Sequence, residues 1–464
     1  MRTEEAAASR RPAPGLAPRR AALWVLEQAH APAAVLAELF ERAAHHYLLA
    51  SADRALMRAM VLAALRERRL WDVVLGRLMD RPLAARHRRI RHILHLGLAQ
   101  ILALDLPAHA AVSTMVALAR ATGKRQAALA PLVNAVLRRA VREQDRLQTL
   151  RATYDPLHLL PEWLAQRWQR RFGPERTRAI ARVLSQPAPV DILPRDTAAA
   201  TRLRADCDAT PLPGGVLRLA RAGELRALPG YDEGLFWVQD WAATLPARLL
   251  DAALRARGLT PGDAHTPILD LCAAPGGKTA QLAAAGWPVV AVDVASLRLA
   301  RLRDNLARLR LDAMTVTADA AAFAVRTPFP GVLLDAPCSA TGTTRRHPDI
   351  LWKRTSADIQ EMAARQRRLL DNAARLVAPG GVLVYAVCSL ESEEGADQIA
   401  DFLARHPDFR RLPIAAEEVF GLTEAVTTEG DVLTHPAIWA DKGGIDGFYI
   451  ARLLRRPTAG APFT

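Results

Sequence analysis

The amino-acid sequence predicts a multidomain chain with an all-α N-terminal third, a small α+β connecting segment and a C-terminal α/β part on an open, mostly parallel sheet. Three observations carry that expectation. At 464 residues the chain is long enough for about two to four domains. Apolar residues recur at helical spacing through the first third, with no β alternation. From about residue 236 onward, short apolar runs alternate with amphipathic helical stretches, the pattern of strand–helix–strand units.

Residues 1–18 are rich in Arg, Ala and Pro, carry Glu4 and Glu5, and lack an apolar core. They read as a disordered basic leader and not as a secretory signal. Residues 19–150 read as one helical domain. Its clearest stripe is Ile90, Ile93, Leu94, Gly97, Leu98, Ile101 and Leu102, with Arg88, Arg89 and Arg91 at its start. Pro107 is expected to close that helix, and Gly123 and Pro131 to mark later breaks. In the connecting segment, 151–235, a helix over Leu164–Leu184 precedes a series of prolines that separate short strands such as Val216–Leu219. In 236–464 the candidate strands begin at Ile268, Val289, Met314, Val332, Val382 and Phe448, with helices over Leu297–Leu309 and Ala357–Val377. In such a sheet ligands bind at the carboxyl ends of the strands.

Charge is divided unevenly. Residues 1–150 hold 24 Arg and Lys against 12 Asp and Glu, while 151–464 hold 38 against 36. An arginine-rich surface attracts phosphate backbones, so the helical third is expected to dock a nucleic acid; a solvated helix surface is the plainer alternative. The four cysteines form no Cys-x-x-Cys pair, which argues against a disulfide framework or a zinc site and fits the cytoplasm. No apolar run approaches the ~20 residues that a membrane span needs. A monomer is expected, with neither metal nor membrane.

Two cysteines carry the chemistry. Cys338 lies in Asp335-Ala-Pro-Cys-Ser-Ala-Thr-Gly342, and Cys388 in Tyr385-Ala-Val-Cys-Ser-Leu390, each just after a strand-like run. Either alone fits a buried core position. Together they suit nucleophilic attack on an electron-poor ring carbon, because a thiolate is soft and forms readily. The segment Leu269-Asp-Leu-Cys-Ala-Ala-Pro-Gly-Gly-Lys-Thr279 follows a strand and opens a helix. Gly276 and Gly277 allow a tight turn there. It is not a phosphate-binding P-loop, since Cys272 occupies the slot of that motif's first glycine. Asp293, ending the next strand, sits where a carboxylate meets a ribose diol. Asp319, after the third strand, could accept from an adenine amino group. Helix capping is the alternative for both. A cofactor loop beside paired thiols points to methyl transfer onto a pyrimidine carbon.

These runs, with Arg345-Arg-His-Pro-Asp-Ile350 and Gly444-Ile-Asp-Gly-Phe-Tyr-Ile-Ala-Arg-Leu453, resemble bacterial ribosomal RNA cytosine-C5 methyltransferases of the RsmB (Sun/Fmu) type in the RsmB/NOP family. Pro107-Ala-His-Ala-Ala-Val112 and Leu132-Val-Asn-Ala-Val-Leu-Arg-Arg139 resemble the NusB-type RNA-binding helical domain. The resemblance implies a NusB-like domain ahead of a Rossmann-like class I methyltransferase fold, with S-adenosyl-L-methionine as cofactor and small-subunit (16S) ribosomal RNA as partner. It places the cofactor along Cys272, Ala273, Ala274, Pro275, Gly276, Gly277 and Lys278, with Asp293 at the ribose, Asp319 near the adenine and Asp335 closing the site. It also implies that Cys388 attacks C6, that Cys338 assists proton removal and product release, and that Asp335 hydrogen-bonds the cytosine. Val387 and Gly395 stand where the family usually has Thr and Asn. Glu391, Glu393 and Glu394 read as charges in a helix's first turn, without a catalytic role. The alternatives are a cytosine-C5 methyltransferase for tRNA or another ribosomal site, and a non-catalytic RNA-binding factor.

Overall fold

In the computed structural model, residues 15–220 and 223–457 are described. Most of the expected leader therefore lies outside the described residues, and its last residues already belong to a helix. The chain forms two compact units, Met1–Gln186 with His347–Lys353, and Pro187–Arg346 with Arg354–Thr464. The connecting segment expected over 151–235 is thus divided between them.

The first unit is helical: α1 (Leu16–Gln28), α2 (Leu36–His46), α3 (Ser51–Arg66), α4 (Arg68–Leu78), α5 (Arg88–Leu98), α6 (Ala108–Ala121), α7 (Lys124–Ala127), α8 (Ala130–Arg142), α9 (Gln144–Thr153) and α10 (Glu162–Leu184). The stripe from Ile90 to Leu102 is buried throughout. Gly97 lies on it because a Cβ there would come within 2.7 Å of Leu137, so the glycine sets how closely α5 and α8 cross. The α5 helix runs on into a π-turn over Ala99–Ala103, and Pro107 is the N-cap of α6. Proline there starts the next helix and does not close the previous one. The α10 helix is kinked at Gly173, which has φ 78°, followed by Pro174. The insert 347–353 completes this unit. It contains α11 (Ile350–Lys353), and the Trp352 indole N–H donates to the Leu65 carbonyl at 2.9 Å.

The second unit opens with an antiparallel sheet of β1 (Val190–Pro194), β2 (Ala209–Pro211), β3 (Leu217–Leu219) and β4 (Phe236–Val238), in the order β2-β3-β1-β4, with α12 (Thr197–Asp206) between its first two strands. There follow α13 (Trp241–Arg255), β5 (Ile268–Leu271), α14 (Gly277–Ala284), β6 (Val289–Asp293), α15 (Ser296–Leu309), β7 (Met314–Thr317) and β8 (Phe329–Asp335). The chain ends through α16 (Ser356–Leu376), β9 (Val377–Val387), α17 (Ala396–Arg405), β10 (Phe409–Arg411), β11 (Val432–Leu433) and β12 (Tyr449–Arg455).

All six expected strands join one sheet of order β10-β12-β9-β8-β5-β6-β7, with β11 beside β12. The five from β9 to β7 are parallel, and β12 runs antiparallel to β9. Central strands of such a sheet are apolar on both faces. In β9, Val382, Val384 and Ala386 pack with α13, while Leu383, Tyr385 and Val387 pack on the other face with Leu369 and Phe402. Strand order reverses between β5 and β8, which opens a crevice at their carboxyl ends. Parallel registers bring Leu271 beside Leu334 and Asp335 beside Ala386. The loops after β5, β8 and β9 therefore leave the sheet at one level.

Candidate active site

The loop after β5 is shaped by its backbone. Cys272 has φ 60° and Gly276 φ 105°. At Gly276 a Cβ would also meet Leu302 at 2.7 Å, so glycine is required twice over. Gly277 has negative φ, and a Cβ there would find only ordinary contacts with Gln239; its amide opens the first turn of α14. The Ala274–Pro275 bond is cis.

Asp293 closes this loop from the next strand. Its Oδ2 accepts from the Ala274 N–H at 3.2 Å, and its Oδ1 from the Ala295 N–H at 2.9 Å and the Arg298 guanidinium at 3.0 Å. The residue is only 2% exposed. The carboxylate is packed against the loop it holds. Asp319 is exposed and caps its own turn, accepting from the Ala321 N–H at 3.0 Å.

Lys278 and Asp335 form an ion pair of 2.7 Å, with the ammonium 5.2 Å from the Phe448 ring centroid. Burial alone would lower the Lys278 pKa, but the facing Asp335 carboxylate outweighs it and the pKa is raised. Beneath the pair, the buried Asp270 accepts from the Thr279 hydroxyl at 2.6 Å, and its other oxygen meets no donor among the described residues. Burial pushes the Asp270 carboxyl up to about 7. The Cys272 thiol is pushed up to about 12 by burial and then by the charges of Asp293 and Asp335. It is therefore a neutral wall of the crevice.

Cys338 and Cys388 meet, with their sulfurs 3.4 Å apart. The Cys338 pKa lies well above that of an ordinary thiol, first through its hydrogen bond to Cys388 and then through burial. Either sulfur can donate in this contact. The loops are pinned backbone to backbone: the Gly342 N–H donates to the Cys388 carbonyl at 3.0 Å, and the Gly447 N–H to the Gly342 carbonyl at 2.8 Å. A Cβ on Gly342 would lie 2.0 Å from the Gly447 oxygen, so no side chain fits that crossing. Behind them Arg345, fully buried, lies between Asp240 at 2.5 Å and Asp446 at 3.5 Å.

Residue-by-residue reading of the sequence missed Glu394. It is buried in a short turn, Ser392–Glu394, and is not a solvated helix-end charge. Its Oε1 accepts from the Ser339 N–H at 2.7 Å and the Gln366 amide at 3.0 Å; its Oε2 accepts from the hydroxyls of Ser339 and, at 2.5 Å, Ser389. No local signal marks it, because its partners are up to 55 positions away. Gly395, in place of the family's Asn, lies against Tyr449, whose ring a Cβ would meet at 2.9 Å.

The cradle suits S-adenosylmethionine. It offers a buried carboxylate beside a glycine turn and a helix N-terminus, on the loop that leaves β5. Among the described residues no group of His, Cys, Asp and Glu is arranged to hold a metal, and no helix is long and apolar enough to cross a membrane.

Comparison with known proteins agrees with this geometry. The family described as 16S rRNA methyltransferase RsmB/F matches residues 256–454, and the NusB family matches 16–142. Ribosomal RNA small subunit methyltransferase B of Erwinia tasmaniensis is 38% identical over 87% of this chain and 91% of its own. The protein of the same description from Pseudomonas putida is 37% identical with the same coverage. The crystal structure of a methyltransferase homolog protein from Pyrococcus horikoshii superposes with a TM-score of 0.51 at 28% identity, covering 66% of this chain and 97% of that one. With two thiols brought together at the ends of adjacent strands, and relatives this similar along nearly their whole length, the chain belongs to the RsmB/F family of 16S rRNA methyltransferases.

Proposed function

We propose that this chain uses S-adenosylmethionine to form 5-methylcytosine in small-subunit ribosomal RNA, through a covalent bond between Cys388 and C6 of the base. The observation that carries this reading is the 3.4 Å contact of Cys338 and Cys388, on loops that leave β8 and β9 at the level where the 272–278 loop leaves β5. S-adenosylmethionine supplies an electrophilic methyl group when bound. The residues along the loop would hold it, with Asp293 for the ribose and Asp319 for the adenine. The helical unit, which carries most of the net positive charge, docks the RNA.

The Cys388 thiolate adds its electron pair to C6, and the pair displaced onto C5 takes the methyl group. Asp335, its other oxygen held by Lys278, accepts from the cytosine amino group. Cys338 holds its proton while Cys388 is a thiolate. Once Cys388 is bonded to carbon, its hydrogen bond and its charge no longer raise the Cys338 pKa, and Cys338 releases its proton to water. The Cys338 thiolate then takes the C5 proton, the C5–H electron pair restores the double bond, and the C6–S bond breaks to return Cys388 as a thiolate. One proton leaves per turnover, as replacement of C–H by C–CH3 from a sulfonium requires.

The test is methylation of unmodified small-subunit rRNA by the purified protein, with 5-methylcytosine mapped at nucleotide resolution. One cytosine in that RNA is expected to be modified. Modification of tRNA alone, or of neither, would overturn the assignment.

A further inference from the structure

Glu394 stands apart from every group used above. A buried carboxylate is costly unless its oxygens are satisfied, and here each oxygen receives two donors. These donors are not scattered. Ser339 follows Cys338 in the chain and Ser389 follows Cys388, so one carboxylate grips the residue after each thiol. Gln366, on α16, donates both to Glu394 and to the Pro337 carbonyl at 3.0 Å, just before Cys338. The Ser389 hydroxyl also lies 3.1 Å from that of Ser339 and 3.3 Å from that of Thr341. Thr341 in turn accepts from the Leu390 N–H at 3.0 Å. The two loops are sutured by this network, whose carboxylate is Glu394; the Arg354 guanidinium also donates to the Ser339 carbonyl at 3.2 Å.

We infer that Glu394 is a positioning residue for the thiol pair: its carboxylate, by holding the residues that follow Cys338 and Cys388, fixes the separation of the two sulfurs. After the hydrogen bond to Cys388, burial and the Cys388 charge, the Glu394 charge also raises the Cys338 pKa. The inference rests on the proposed thiol chemistry, but its geometric part can be read without catalysis.

The experiment uses the full chain with Glu394→Gln, and separately Ser339→Ala with Ser389→Ala, which keep the carboxylate and remove its hydroxyl donors. Three quantities are measured: S-adenosylmethionine affinity by calorimetry, kcat on rRNA, and the pH dependence of alkylation of the two thiols by iodoacetamide, resolved by peptide mass spectrometry. Glu394→Gln should leave cofactor affinity within twofold, lower kcat at least tenfold, and move the Cys338 alkylation profile to lower pH. The double serine variant should lower kcat in the same way and slow diamide-driven formation of the Cys338–Cys388 disulfide at least threefold. A Glu394→Gln protein that fails to bind cofactor leaves the decision to the serine variant. Wild-type kcat, or a fall in kcat with unchanged thiol profile and disulfide rate, overturns the inference. If the wild-type protein methylates no RNA, the functional reading fails, while the thiol profile and disulfide rate still decide the role of Glu394.

Discussion

The sulfurs of Cys338 and Cys388 lie 3.4 Å apart although 50 positions separate them in the chain. Adjacent parallel strands in register, β8 and β9, deliver them.

Cys388→Ala should abolish methylation while cofactor affinity stays nearly intact, since the loop after β5 does not depend on that sulfur. Cys338→Ala should accumulate a covalent RNA–protein adduct, seen as a denaturation-resistant band. An adduct with the first variant and none with the second would reverse the roles.

Asp293→Ala removes three hydrogen bonds, one of them charge-assisted from Arg298. Cofactor affinity, measured calorimetrically, should fall at least tenfold, roughly 1.4 kcal/mol. Because the carboxylate is buried and ties down Ala274, the melting temperature should fall as well. Affinity equal to wild type in the folded variant would show that Asp293 only caps the loop.

Asp335→Ala leaves the Lys278 ammonium largely buried without its partner, at a cost of about 3 kcal/mol. The joint change Lys278→Met with Asp335→Leu should recover most of that stability in thermal unfolding and none of the activity. Recovery of methylation would show that the pair serves folding alone.

The Asp270 carboxyl titrates near 7 in the folded protein, above its value in the unfolded chain. The folded state therefore holds that proton more tightly. Its stabilising effect is full below about pH 3.8 and is lost as pH rises through 7. Relative to Asp270→Asn, the wild-type protein should lose stability between pH 4 and 8, on the order of 4 kcal/mol at most. Parallel unfolding curves for the two proteins across this range would contradict it.

Arg120, Lys124 and Arg125 are exposed near the end of α6 and the start of α7. Replacing all three with alanine should weaken RNA binding and flatten the dependence of log affinity on log salt, by up to about 0.7–0.9 per lost phosphate contact. An unchanged slope would place the docking surface elsewhere.

Local sequence determined a good deal. The buried stripe from Ile90 to Leu102, the six strands and the loop Cys272–Lys278 were all legible, because apolar periodicity and glycine turns are properties of neighbouring residues. The boundary of the helical unit was not. Residues 347–353 belong to it although they lie between β8 and β9, and no local pattern announces an insert that packs on a distant core. Pro107 was misread because proline both ends and begins helices, and the chain continues helical to Ala103 before the turn.

Within the site, the sequence by itself named the two thiols, the cofactor loop and its aspartates, since each lies in a recognisable run. Only the tertiary structure decided how they act together. The Lys278–Asp335 pair spans 57 positions and the Ser339–Glu394 contact 55; both exist because parallel strands end at one level. Burial likewise separated Glu394 from Glu393 beside it, a distinction invisible in sequence because charge alone does not say which face of a turn meets solvent. The chemistry of single residues is local, whereas proton placement depends on distance and dielectric, which the fold sets.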